Sequence, residues 1–142
     1  MKENVSISLV SKQTQGEYQE VIKQEFIGNY YTKADIHYFL YQDAEGQKVT
    51  IKLKSGTLSL IKSGKINWLH IFRPGQTAVS RYSFEFGSVF LEIKTEDIRV
   101  TITTDGWNIE LYYTLFAEDE EPVKFELNFE VKRGVQLNGY CH

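Results

Sequence analysis

Three imidazoles and one thiol are the side chains from which nucleophilic or acid–base chemistry could be built: His37, His70, His142 and Cys141. A Ser-His-Asp or Cys-His centre needs a nucleophile beside a base that a third group orients. No nucleophile-elbow pattern accompanies any of the histidines. Cys141 and His142 adjoin, but they stand in the stretch from Arg133 onward that is expected to fray, where no oxyanion site is held in place. No catalytic residue is assigned. Asp35 and His37, two apart on one strand face, offer two metal ligands where a zinc site takes three or four. They read as an exposed polar pair beside a turn. The run from Ala117 to Pro122 is acidic but lacks the spaced ligands and glycine of a calcium loop. Neither metal nor cofactor is expected.

His70 differs, because it stands between Trp68 and Phe72 at alternate positions. Successive side chains of a strand point to opposite faces, so the three share one face. If that face is interior, His70 is a polar group in an aromatic surround. Ser80, Thr95 and Thr104 fall in the same inward phase on later strands. A few polar groups in an apolar cavity is the character of a small-molecule pocket. The plainer alternative is a core histidine and core hydroxyls satisfied by backbone carbonyls or buried water. The predicted lining is Trp68, Tyr82, Phe84, Trp107 and Tyr113, with His70 orienting the ligand. An isomerase or lyase in the same interior would need His70 as its acid–base group.

The elements that must position these residues are strands. From Ala78 to Phe116 apolar residues alternate with polar ones: Tyr82, Phe84 and Phe86; Val89, Leu91 and Ile93; Ile98, Val100 and Ile102; then Trp107 to Leu115. That period means one buried face and one wet face. Breaks at Gly87-Ser88, Glu96-Asp97 and Asp105-Gly106 suit tight reversals, which divides the stretch into four strands. Val5, Ile7 and Leu9 begin the chain with another strand, followed by a polar loop, Gln13 to Gly16. Residues 18–31 fit a short helix or a long strand; the strand is preferred, with Gly28 at a bend or bulge. Ile36, Tyr38 and Leu40 are taken as the inner face of the next strand, leaving His37, Phe39 and Tyr41 outside. Val49 to Leu53 and Val123 to Val131 alternate without exception.

About ten strands joined by short connections predict an antiparallel meander in one domain, 1–142. Closure into an up-and-down barrel removes the two exposed edges, and a two-sheet sandwich is the alternative. Leu69 and Ile71, out of phase with the inner face, lie across the Arg73-Pro-Gly75 turn from Val79, and Phe90, Tyr112 and Phe116 are also outward. An outer apolar patch marks a contact surface, so Leu69, Ile71 and Val79 are the predicted interface of a homodimer. An N-terminal segment folded over the patch is the alternative.

The net charge of −3, with basic residues scattered, carries no footprint of nucleic-acid binding. No apolar run has the length of a membrane span or the pattern of a signal peptide. A single cysteine fits a reducing compartment, so a cytoplasmic protein is expected.

The meander resembles the YwiB-like proteins, a bacterial family of unknown function. The resemblance is carried by Phe72-Arg-Pro-Gly75, Tyr82-Ser-Phe-Glu-Phe86-Gly87, Leu91-Glu-Ile-Lys-Thr95 with Ile98, Gly106, and Ile109-Glu-Leu-Tyr-Tyr113. It extends back through Gln19 to Ile22 and Gly28-Asn-Tyr-Tyr31, covering most of residues 19–131. It implies a calycin, or lipocalin-like, β-barrel. No catalytic or ligand residue comes with it.

Overall fold

In the computed structural model, which describes residues 2–134, the alternating segments form ten antiparallel strands. They are β1 (Glu3–Gln15), β2 (Tyr18–Lys33), β3 (Ile36–Gln42), β4 (Lys48–Lys54), β5 (Thr57–Ser63), β6 (Asn67–Phe72), β7 (Thr77–Phe84), β8 (Gly87–Ile102), β9 (Gly106–Phe116) and β10 (Val123–Arg133). Each pairs with its neighbours in sequence, and β1 also pairs with β10, so the sheet is a closed barrel. Closure leaves no full-length edge strand, which excludes the sandwich. Residues 18–31 are strand, as preferred. The inward residues Ile7, Phe39, Ile51, Leu58, Phe72, Ile93, Ile109, Leu111 and Phe129 are sealed from solvent and fill the middle of the barrel.

Several local expectations are corrected. Glu96-Asp97 is not a reversal. β8 runs through it with a bulge between Thr95 and Asp97, so residues 78–116 hold three strands rather than four. The bulge moves the inward phase from Ile93 and Thr95 to Ile98, a one-residue slip that a turn would also produce. Asp97 steadies the irregularity by accepting the Ile98 N–H at 2.9 Å. β3 faces the other way round: Phe39 and Tyr41 point inward, opposite Tyr30 and Gly28 on β2 and Ile51 and Val49 on β4. Both faces of β3 are apolar, so pairing and not alternation decides. Outside, Tyr38 stacks on Tyr31 at 4.5 Å and lies under the Lys52 ammonium.

Gly28 is not at a bulge. Its pairing with β1 and β3 is regular, and a Cβ there would collide with the Leu40 carbonyl oxygen. The polar stretch Gln13–Gln15 belongs to β1, and the reversal is the pair Gly16-Glu17. Thr104 lies in the β8–β9 turn instead of facing inward. Arg133 ends β10 opposite Val5, while Cys141 and His142 lie outside the described residues.

One junction is weak. β6 and β7 pair only at Asn67–Ser83 and Trp68–Tyr82. Beyond that point the Ser80 hydroxyl donates to the Leu69 carbonyl at 3.3 Å and accepts the Trp68 indole N–H at 2.6 Å. A side chain thus takes over where the backbone ladder stops. β8 is also longer than its partners. Gly87 to Leu91 extend past β9, and Glu96 to Ile102 extend past β7.

Candidate functional site

The two ends of the barrel are open in different ways. At the end bearing the β3–β4 and β5–β6 turns lies a cavity of about 380 Å³. Its floor is Leu9, Val49, Leu60 and Phe129, the inward residues of strands that close the middle. Its walls carry two stacked aromatic pairs, Phe26–Tyr41 at 4.5 Å and Tyr113–Phe125 at 4.7 Å, with Trp68 between strands β5 and β7. Lys62 reaches the rim beside the Trp68 ring, 6.0 Å from its centroid.

The rim is rigid for an identifiable reason. In the turn from Asp43 to Gln47, one Asp43 carboxylate oxygen accepts the N–H groups of Glu45 and Gln47, each at 2.9 Å. The other accepts the Gln47 amide at 3.2 Å. Gln47 is buried, and its carbonyl oxygen accepts the Ile66 N–H at 2.8 Å, tying this turn to the β5–β6 connection. The carboxylate at the cavity rim therefore has its hydrogen-bonding capacity engaged by the turn.

Polar groups inside this end are under-used. The hydroxyls of Tyr41 and Tyr113, and the ring nitrogens of His70, have no hydrogen-bond partner among the described residues, although these residues are at most 9% exposed. Among the described residues Asn128 Oδ1 is the fully enclosed side-chain polar atom left without a partner, so the hydroxyls and the imidazole border open space. Burial raises the Tyr41 and Tyr113 pKa values well above the usual phenol range, which keeps both as neutral donors. Burial pushes the His70 imidazole down, so it is uncharged at neutral pH. His70 stacks along Trp68 and meets Phe72 edge-on at 4.5 Å.

The sequence-predicted lining divides. Trp68 and Tyr113 border the wide cavity; Tyr82 is half-buried and tilted against Trp68 at 5.9 Å; His70 is interior, on the Trp68 side. Phe84 is not interior: it is 42% exposed at the tip of the β7–β8 hairpin, which projects past β9 and reverses at Glu85-Phe86. Trp107 is interior but belongs to the opposite end. There it is packed by Tyr30 at 4.3 Å and Phe39 at 5.1 Å and covered by the Arg133 guanidinium at 4.5 Å. The recess beside it holds about 180 Å³. Ile98, Val100 and Ile102 face it from the part of β8 that β7 does not cover, and Val100 and Ile102 are therefore exposed.

His37 stands at this narrow end, and its Nδ1 is 2.7 Å from the Tyr30 hydroxyl, while Asp35 lies in the β2–β3 turn. No group of three His, Cys, Asp or Glu side chains able to hold a metal occurs among the described residues. The reading of the sequence missed Phe26, Phe125 and Lys62, as well as Tyr41, whose face it inverted. Phe125 could have been found from its phase on the last strand, but the others needed the register.

On the outer surface Leu69, Ile71, Val79 and Phe90 are all exposed, the last two by about two-thirds (67% and 70%). The N-terminal segment does not cover them, because it is β1 of the barrel wall.

This fold has counterparts. A family model described as a domain of unknown function, DUF1934, matches residues 7–129. The chain belongs to this family. An uncharacterized beta-barrel protein, YwiB of Bacillus subtilis (strain 168), is 26% identical over 106 residues, which are 72% of this chain and 75% of the relative. The crystal structure of the ywiB protein from Bacillus subtilis superposes with a TM-score of 0.82 at 20% identity, covering 94% of both chains. The barrel fold is thus common to this DUF1934 chain and its relative. No helix is long and apolar enough to cross a membrane among the described residues.

Proposed function

We propose that this chain is a cytoplasmic barrel that binds a small, largely apolar or aromatic molecule in its interior. The observation that carries the reading is the wide-end cavity of about 380 Å³, walled by Trp68, Tyr113, Phe125, Phe26 and Tyr41. Pockets of this volume and lining suit small molecules, with a few polar groups fixing orientation. The single cysteine of the chain supports a reducing compartment. No catalytic step belongs to this reading. Native mass spectrometry of protein purified from its natural host, compared with the denatured mass, tests it. A reproducible extra mass released on denaturation is expected. Equal native and denatured masses, with no added small molecule retained on titration, overturn it.

A second reading rests on the outer patch. Leu69, Ile71, Val79 and Phe90 place exposed apolar area on three adjacent strands, which favours a homodimer through this surface. Light scattering on wild type and Ile71→Asp decides it. A wild-type dimer that Ile71→Asp dissociates supports this surface; a wild-type monomer removes it.

A further inference from the structure

The wide-end cavity has a chemistry more specific than its aromatic walls. We propose that it takes an uncharged, flat aromatic molecule bearing a carbonyl oxygen, and that the Tyr113 and Tyr41 hydroxyls donate to that oxygen. This rests on the reading of the cavity as a ligand site.

Three observations converge. First, two stacked aromatic pairs flank β1 on the cavity wall, Phe26–Tyr41 on β2 and β3 and Tyr113–Phe125 on β9 and β10, and Trp68 stands on β6, across the strand order from them. Ring surfaces pack most favourably against another ring, offset or edge-on. Second, the two phenols are buried and lack any hydrogen-bond partner among the described residues. Buried tyrosine hydroxyls normally find one, so both are free to donate to an acceptor that enters the cavity. Both groups are held protonated by burial and can donate throughout the physiological range.

Third, the rim charges disfavour an anion and the neutral interior disfavours any ion. Asp43 and Glu45 face the opening against the one cation Lys62, a balance that disfavours an anion. A cation would leave water for an interior whose polar groups, two phenols and an imidazole, carry no compensating charge. His70, the deeper titratable group on the Trp68 side, is neutral. Water filling the cavity is the competing account of the open hydroxyls.

Three naphthalene dyes separate these possibilities: prodan, a neutral ketone; N-phenylnaphthylamine, neutral and without a carbonyl; and anilinonaphthalene sulfonate, an anion. Binding is read by energy transfer from Trp68 in a Trp107→Phe background, where it is the one tryptophan left of two. Prodan is expected to bind tightest. Tyr113→Phe is expected to weaken prodan by about 3- to 10-fold, the net worth of one hydrogen bond, and to leave N-phenylnaphthylamine unchanged. Tyr41→Phe is expected to act in the same direction, and it decides the matter should Tyr113→Phe not fold.

Equal affinity for the two neutral dyes, with neither phenylalanine variant discriminating them, overturns the carbonyl proposal and leaves the cavity reading standing, with water on the hydroxyls. Tighter binding of the sulfonate overturns the preference for an uncharged guest. Absence of transfer from Trp68 to any dye overturns the cavity reading itself.

Discussion

The barrel has an aromatic cluster at each end, and the two differ in what their polar atoms are doing. At the narrow end the phenol is paired, the Tyr30 hydroxyl meeting His37, and Arg133 lies across the rings of Trp107 and Tyr30, while the Trp107 indole N–H has no partner among the described residues. At the wide end Trp68 is anchored through its indole N–H, but the phenols of Tyr41 and Tyr113 border empty space. Aromatic content does not separate a core from a site. Unpaired hydroxyls beside a cavity of about 380 Å³ do, against a recess of about 180 Å³ at the other end, since a buried polar group left without a partner costs free energy comparable to a lost hydrogen bond.

Truncating the two tryptophans gives the largest test of that contrast. Trp107→Ala removes a side chain packed on three sides and leaves Arg133 without its ring, a loss expected at about 3–5 kcal/mol. Dye binding at the wide end should be unaffected in protein that still folds. Trp68→Ala forfeits the ring contacts with His70, Phe72 and Tyr82 and the hydrogen bond to Ser80, so a loss of about 3–5 kcal/mol is expected there as well. It should, however, abolish dye binding. Urea unfolding, and titration with prodan read by the dye's own emission and not by transfer from Trp68, separate the two variants. Equal effects on binding would erase the distinction between the ends.

A smaller loss is expected from Ser80→Ala. The hydroxyl is the acceptor for the Trp68 indole and the donor to the Leu69 carbonyl at the weak β6–β7 junction. Removing it leaves two polar groups unpaired, about 1–3 kcal/mol. The indole also loses its anchor, so Trp68 fluorescence should shift while Trp107 emission does not. An unchanged unfolding midpoint would mean that the junction is held by the packing of Trp68 against Tyr82 and Phe72 alone.

How much of this was legible beforehand follows from period and phase. Strands such as Val49–Leu53 and Val123–Val131 alternate cleanly, and both the barrel and its inward set follow from them. β3 does not alternate, because Ile36, Tyr38 and Leu40 are as apolar as Phe39 and Tyr41. Only the pairing with β2 and β4 chooses a face. The bulge at Glu96 mimics a turn, because both shift the phase by one residue. Phe84 and Trp107 have the correct phase yet lie outside the cavity. Phase gives the face of a strand but not the height along the barrel, and a site at one end is defined by height. The aromatic content of the site was legible, but its location required the stagger between strands.

His70 supplies the finest test, because burial has left an ionisable group inside without a partner. Its native pKa is lowered from 6.5 by burial. Above 6.5 the imidazole is neutral in both native and unfolded chains and costs nothing on titration. As the pH falls below 6.5 the unfolded chain takes up a proton that the native state resists, so stability is lost progressively down to the lowered native value. In His70→Phe, whose ring keeps the contacts with Trp68 and Phe72, this component is absent. The melting temperature of wild type should therefore fall more than that of His70→Phe between about pH 7.5 and about 5.5, where most carboxylates do not titrate. Parallel profiles would mean that His70 is solvated through the cavity, and the wide end would then be wetter than its unpartnered hydroxyls indicate. A steeper wild-type profile that flattens when prodan is added would place ligand and imidazole in the same interior space.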